Sequence, residues 1–180
     1  TGNGQQGRPS MGSWITYGLG SENNNLPGYV VLDGGLIPPG GLDNFKNGFL
    51  PASYQASILR TGQEPIANIK PQESPELQKE KLKFIKQMDQ SLLGSLGHAD
   101  AIETAISNYE LAFKMQSSVP ELTQFASEST ATKAMYGLNS DDPFTRSYGQ
   151  QCLMARRLVE RGVRFIELTC PEVGNGADRW

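Results

Sequence analysis

Two short apolar runs, one near each end of the chain, predict strands of a sheet. Residues 29–32 form a β-type run that Pro-Gly precedes and Asp-Gly-Gly follows, which is typical of a buried strand. Residues 163–169 alternate enough to form a second strand, and they follow a predicted helix over 145–161 that Gly162 ends. A helix, a short turn and a β-branched run make up the αβ half of a βαβ crossover. The pattern therefore predicts an α/β layered fold with a largely parallel sheet, only part of which is present.

Apolar positions spaced three and four apart predict a helical hairpin over residues 75–117. Ser74 provides a cap and Pro75 a first-turn residue for the first helix. The predicted apolar stripe of this helix contains Leu82, Ile85, Met88, Leu92 and Leu96. The second helix begins near Asp100 and is predicted to end at Pro120. Its predicted apolar side contains Ile102, Ile106, Tyr109, Phe113 and Met115. A short link makes the two helices antiparallel neighbours.

Glycine and proline mark most of the remaining chain as loop. Residues 33–74 are predicted to be mostly loop, docked on the domain through their apolar side chains Phe45, Phe49, Leu50 and Tyr54. Two further short helices are predicted, over 9–17 with a stop at Gly18 or Gly20, and over 129–136 with a stop at Gly137.

The amino-acid composition and charge of the chain exclude several classes of protein. The 180 residues suit one domain, and the net charge of -3 argues against an electrostatic nucleic-acid binder. No apolar run approaches the roughly 18–20 residues that a membrane span requires. Two cysteines and one histidine exclude a disulfide-dense scaffold, a Cys-only zinc site and a His-rich metal centre. With no initiator Met and abrupt ends, we expect an internal piece of a longer protein.

The glycine-rich stretch at the start of the chain and the single histidine both have simple structural interpretations. Residues 2–7 match G-x-G-x-x-G, but a dinucleotide site requires a strand before this motif, so we interpret it as a flexible turn. A preceding strand in the longer gene would revive the dinucleotide hypothesis. His98 lies between the two predicted hairpin helices, where a cap or a solvated side chain is more common than a metal ligand.

The predicted helix over 145–161 and the strand after it carry both cysteines. Cys152 lies with Tyr148, Ala155 and Val159 on the predicted apolar face, which favours a packing role. Cys170 follows the last strand, at the sheet edge where open α/β sheets bind ligands. No activating base is recognisable beside it, so packing is favoured over a nucleophilic role.

Four arginines gather near the turn between this helix and the strand. They are Arg156, Arg157, Arg161 and Arg164. Cations compensate the dipole at a helix C-terminus, so we interpret the cluster as a solvated face. An oxyanion clamp is the alternative, but no partner motif supports it.

Four long strings in this sequence resemble one bacterial family. They are GRPSMGSWITYGLGSEN (residues 7–23), NLPGYVVL (25–32), YELAFKMQ (109–116) and CLMARRLVERGVRF (152–165). Together they are similar to domain-of-unknown-function family 1501, which is counted among the alkaline-phosphatase and sulfatase-like proteins. The resemblance spans nearly the whole chain.

The resemblance implies a partial three-layer fold of the alkaline-phosphatase type, with the helical hairpin as an insertion. It implies a parent exported through a twin-arginine signal, to the periplasm or beyond. It also implies divalent metals, held by Asp and His, that assist cleavage of sulfate or phosphate esters. The family's metal ligands and nucleophile would lie before Thr1 and in an Asp-x-His element after Trp180, so this fragment itself holds no cofactor or metal.

The resemblance assigns no catalytic residue in the chain. Cys170, Asp178, Arg179 and Trp180 are expected only to lie in the neighbourhood of the active site. The sulfatase motif Cys-x-Pro-Ser-Arg is absent, because Pro171 follows Cys170 directly and no Ser-Arg follows.

Two hypotheses follow. The first is a fragment, inactive alone, of a metal-dependent hydrolase of small-molecule or polysaccharide sulfate or phosphate esters. The alternative is a non-catalytic exported protein of the same fold, used for binding or surface assembly through residues 33–74 and 75–117.

Overall fold

Apart from three short 3-10 helices (Gly41–Phe45, Ala52–Tyr54 and Phe125–Ser127), five α-helices and three β-strands make up the regular structure of the described part of the chain. The computed structural model describes residues 7–35, 40–60, 65–66, 73–96 and 100–170. In chain order the elements are α1 (Met11–Leu19), β1 (Tyr29–Asp33), β2 (Ser57–Arg60), α2 (Pro75–Leu96), α3 (Asp100–Thr123), α4 (Thr130–Met135), α5 (Pro143–Glu160) and β3 (Phe165–Leu168).

The three strands form one parallel sheet in the order β2-β1-β3. In the central strand, Val31 lies opposite Ile58 of β2 and Glu167 of β3. This arrangement confirms the predicted α/β class and the largely parallel sheet. Strand β2 lies inside the 33–74 segment that we predicted to be mostly loop. Its sequence signal is weak because only Ile58 and Leu59 are apolar, although Leu59 is fully buried between its neighbours.

Helices pack on both faces of the sheet. Val30 and Leu32 of β1 belong to a core cluster with residues of α3 and α5, such as Val119 and Leu158. The alternate residue Tyr29 faces the other way, where its ring lies against Gly12 of α1. Strand periodicity thus places α1 on one face and α3 with α5 on the other.

Helix α1 packs near the start of the central strand. The side chains of Thr16 and Ser21, near its C-terminal end, lie against Gly28, just before β1 begins. Its N-cap Ser10 accepts a hydrogen bond from Ser13 N, and Gly20 ends it with φ of 67°. The described contacts of α1 with the sheet are thus to the beginning of β1 and β3.

Helix α3 continues through Pro120, where we predicted its end, and stops at Thr123. Proline inside a helix removes a hydrogen bond and strains the preceding turn. Val119 and Leu122 flank it and are both fully buried in the core. Their burial offsets the cost of the proline and holds the last turn of the helix in place.

The helical hairpin is present, and two polar pairs join its helices. Lys86 Nζ donates to Glu110 Oε1 at 2.6 Å, and the Tyr109 hydroxyl donates to Asp89. Much of the predicted apolar stripe of α2 faces outward, although Leu82 is half-buried. Its members Ile85, Met88 and Leu92 are exposed, and so are Leu77 and Phe84 beside them.

No helix in the described ranges is both long enough and apolar enough to cross a membrane.

Candidate functional site at the carboxyl edge of the sheet

The three parallel strands end at the same edge, and each brings a polar residue there. Asp33 ends β1, Arg60 ends the neighbouring β2, and Thr169 and Cys170 follow β3. In open parallel sheets this edge is where ligands bind. We therefore take it as the candidate functional site.

Asp33 and Arg60 are cross-strand neighbours and form an ion pair. Arg60 Nε lies 3.2 Å from Asp33 Oδ2, and Gly35 N donates to Asp33 Oδ1 at 2.9 Å. The carboxylate side chain is 14% exposed, whereas the arginine side chain is 74% exposed. Within the described residues, the Nη groups of Arg60 have no partner, so they are available to an incoming anion.

Gly34 connects the central strand to β3 and to α5. Its N–H donates to Thr169 Oγ1 at 2.8 Å. With the Gln151 amide in the orientation that suits its neighbours, Nε2 donates to the Thr169 carbonyl at 3.0 Å and Oε1 accepts from Gly34 N at 3.1 Å. A Cβ on residue 34 would collide with the Thr169 carbonyl and the Gln151 amide. Only glycine allows these three segments to approach so closely.

Both cysteines lie near this edge and both are free, half-buried thiols. Burial raises the pKa of the Cys152 thiol, so at neutral pH it stays protonated. The pKa of the Tyr148 hydroxyl is also raised, first by burial and then by the nearby charges that Cys152 and Cys170 would carry as thiolates. A reactive cysteine needs the opposite environment, one that favours the thiolate, so Cys152 is suited to packing.

The buried face of α5 differs from the one we predicted. Tyr148 and Val159, predicted to be inside, are 43% and 62% exposed. The residues that pack inward are Gly149, Gln151, Leu153, Met154, Arg157 and Leu158. The buried stripe is thus centred almost half a turn away from the predicted face of Tyr148 and Val159.

Arg157 is the main exception to the predicted solvated arginine face. It is 7% exposed, and its Nε and Nη2 donate to Glu128 Oε1 at 2.9 and 2.7 Å. Its Nη1 donates to the carbonyls of Glu121, Leu122 and Gln124 at 3.1, 3.2 and 3.1 Å. These carbonyls surround the C-terminal end of α3, so Arg157 caps that helix. The prediction was wrong for this residue because its partners are distant in sequence.

Several predicted residues lie outside the described part of the chain. They are His98, the first five residues of the G-x-G-x-x-G match (residues 2–6), Asp178, Arg179 and Trp180. Of the four residues expected near the active site, only Cys170 is described, and it lies at the carboxyl edge.

The described residues do not form a metal centre. Within them, no group of three or more His, Cys, Asp and Glu side chains converges. Asp33 supplies one carboxylate, and both of its oxygens already accept hydrogen bonds. Since divalent metal sites use several ligands, this edge alone does not fit one.

Sequence reasoning did not identify Asp33, Arg60 or Gln151 as site residues. Asp33 had a usable signal, because it is a carboxylate directly after a predicted buried strand. Arg60 had none, since strand β2 itself was not predicted. Gln151 lies fully buried on α5, one residue before Cys152, and a single glutamine in a helix carries no signal for such a position.

Comparison with known proteins identifies a family but no characterised relative. No curated protein and no solved structure matches the chain. A family model described as "Protein of unknown function (DUF1501)" matches residues 1–180, and this confirms the resemblance seen in the four strings. The chain belongs to the DUF1501 family.

Proposed function

We propose that this chain is part of an exported hydrolase of sulfate or phosphate esters, built on a three-layer fold of the alkaline-phosphatase type. The observation that carries the proposal is the pairing of Asp33 and Arg60 at adjacent carboxyl ends of a parallel sheet. Helices on both faces of that sheet are consistent with the three layers. The family resemblance supplies the reaction class.

Arg60 is the residue of this chain suited to hold the ester. A planar guanidinium matches two oxygens of a sulfate or phosphate group in a bidentate contact. The Asp33 contact uses Nε and orients the side chain, while the Nη groups remain open to solvent. Arg60 would bind and orient the anionic group, and Asp33 would act as a positioning residue through Arg60.

A divalent metal belongs to the proposal, but its ligands would have to come from residues other than the described ones. One carboxylate with two occupied oxygens does not hold such an ion. We therefore assign no step of the reaction to a metal. The contribution of the described residues is binding and orientation at the sheet edge.

The test uses the gene product that contains this chain in its genomic context. Turnover of 4-nitrophenyl sulfate and 4-nitrophenyl phosphate is measured together with metal content. We expect Arg60→Gln to raise KM at least tenfold and Asp33→Asn to raise it less. Arg164→Gln is the matched control, because Arg164 pairs with Glu22 beyond the opposite end of the strands. Bound metal without turnover of either ester would contradict the proposal.

One observation favours the alternative of an exported protein used for binding or surface assembly. The outward face of α2 carries exposed apolar side chains, with Phe84 63% and Met88 58% exposed. Such a row is typical of a helix that contacts another surface. The same assay separates the two functions, since this alternative predicts neither stoichiometric metal nor turnover.

A further inference from the structure

Four aromatic side chains form a second distinctive surface, on the outer side of α1 and the loop that packs beside it. We call Trp14, Tyr17, Phe49 and Tyr54 the aromatic surface. Trp14 makes edge-to-face contacts with Phe49 and Tyr17, at centroid distances of 5.6 and 6.1 Å. Tyr17 makes a third such contact with Tyr54 at 5.2 Å. The rings therefore hold each other in place, which lowers the entropy cost of binding a ligand.

The aromatic surface is open to solvent. Phe49 is 69% exposed, Tyr17 51% and Trp14 47%. An open groove of about 480 Å³ adjoins it, a volume within the range of small-ligand sites. Its lining residues are Arg8, Pro9, Met11, Trp14, Ile15 and Phe49. The only charge among them is the cation of Arg8.

The polar tips of this surface have no partners within the described ranges. The indole N–H of Trp14 and the hydroxyls of Tyr17 and Tyr54 make no hydrogen bond there, and Arg8 makes no ion pair. A purely apolar partner would bury these groups without replacing their water contacts, which is costly. A partner rich in hydroxyl groups would satisfy them, because each hydroxyl both donates and accepts.

We propose that the aromatic surface and Arg8 form a binding site for an anionic saccharide. One face of a sugar ring presents C–H groups, which are attracted to the negative face of an aromatic ring. The hydroxyls of the sugar would meet the polar tips of Trp14, Tyr17 and Tyr54. A sulfate or carboxylate substituent would meet Arg8, and this charge match favours an anionic sugar over a neutral one.

This site is separate from the Asp33–Arg60 pair and goes beyond the proposed hydrolysis. It predicts binding that requires no turnover and no metal. Failure of hydrolysis and failure of saccharide binding can therefore be observed independently.

The test is calorimetric titration of the protein with three probes of equal length. They are a sulfated galactan tetrasaccharide, the same tetrasaccharide after desulfation, and a tetrameric uronate. We expect the sulfated probe to bind at least tenfold more tightly than its desulfated form. If the uronate also binds, the site prefers anionic sugars in general. If the uronate does not bind, the site is specific for sulfated sugars. Both results support the proposed site.

Three variants locate the site. Trp14→Ala and Phe49→Ala are each expected to weaken binding about tenfold, the factor for losing one stacked ring. Arg8→Gln leaves the rings intact and is expected to reduce binding of the sulfated probe to that of the desulfated one. Phe84→Ala is the control, because Phe84 is equally exposed but lies on α2. Circular dichroism verifies that each variant is folded.

Other outcomes would overturn the proposal. Absence of binding by any probe excludes a saccharide site, and equal loss in Phe84→Ala excludes this location. A dimer of the wild-type protein that Trp14→Ala dissociates would show instead that a second copy covers the aromatic surface. Sedimentation velocity measured alongside the titrations distinguishes that case.

Discussion

The guanidinium of Arg157 joins α5 to Glu128, a residue between α3 and α4, through two hydrogen bonds to one carboxylate oxygen, at 2.9 and 2.7 Å. The same side chain lies over the ring of Phe125, 5.2 Å from its centroid. Together with the three carbonyl contacts at the end of α3, these interactions make Arg157 a structural link between two helices of one layer. A charge in this position is tolerated because nearly every donor has a partner.

Replacing Arg157 by methionine should destabilise the fold strongly. The change leaves Glu128 without its main cation and the α3 carbonyls without a donor, for which a loss of about 3 kcal/mol in unfolding free energy is typical. Urea unfolding followed by circular dichroism measures it. Arg164→Gln is the control, because its exposed ion pair with Glu22 should contribute less than about 1 kcal/mol. Equal effects of the two variants would contradict the role given to Arg157.

Acid should weaken the Arg157–Glu128 link. The Arg157 hydrogen bond lowers the pKa of Glu128 from its ordinary 4.5. A carboxyl whose pKa is lower in the folded state contributes its full stability above the unfolded-state value. That contribution is lost as the pH falls through the folded-state pKa. The urea midpoint of the wild type should therefore decline below about pH 4.5.

Glu128→Gln separates this contribution from other carboxylates. The variant should be less stable at pH 7 and lose less stability between pH 5 and pH 3. Asp142→Asn is a matched comparison, since hydrogen bonds from the Thr145 side chain and backbone lower the pKa of this helix cap. A Glu128→Gln curve parallel to that of the wild type would show that Glu128 does not titrate with folding.

Gly34→Ala should disturb the sheet edge. The new methyl group would overlap the Thr169 carbonyl and the Gln151 amide, and overpacking of this kind typically costs about 1–3 kcal/mol. Gly18→Ala is the control, because nothing lies within 4 Å of a Cβ at that helical position. There alanine should stabilise the helix by about 0.5–1 kcal/mol. Opposite signs in thermal unfolding are expected, and a neutral Gly34→Ala would contradict the close approach.

The Cys152 thiol should react slowly. Since burial raises its pKa above the ordinary 9.0, the reactive thiolate is scarce at pH 8. In a Cys170→Ser background, iodoacetamide labelling followed by mass spectrometry should be slower in the native protein than in urea. The midpoint of its pH–rate profile should lie above 9. A midpoint near 7 would instead identify an activated thiol.

Patterns local to the sequence predicted the sheet and the helices well, and failed where distant residues decide. The strand over 29–32 and the helix-strand unit over 145–169 were predicted because their own periodicity and capping residues indicate them. Strand β2 was not predicted, because two apolar residues are too weak a local signal. They form a strand through their pairing with β1. The orientation of α2 and the burial of Arg157 depend on partners in α3 and near Glu128, which no local pattern contains.

The polar contact between α2 and α3 gives the molecule an uneven distribution of local stability. The carboxyl half of α3 is anchored by buried Met115, Val119 and Leu122, whereas its amino half meets α2 through half-buried side chains that include the Lys86–Glu110 and Tyr109–Asp89 pairs. Salt screens such contacts and leaves the core unaffected. Amide hydrogen exchange should therefore be fast in α2 and slow near Leu122, with intermediate rates between them along α3. High ionic strength should increase this difference in rates. Within the single helix α3, the carboxyl half would therefore stay folded while the amino half unfolds locally.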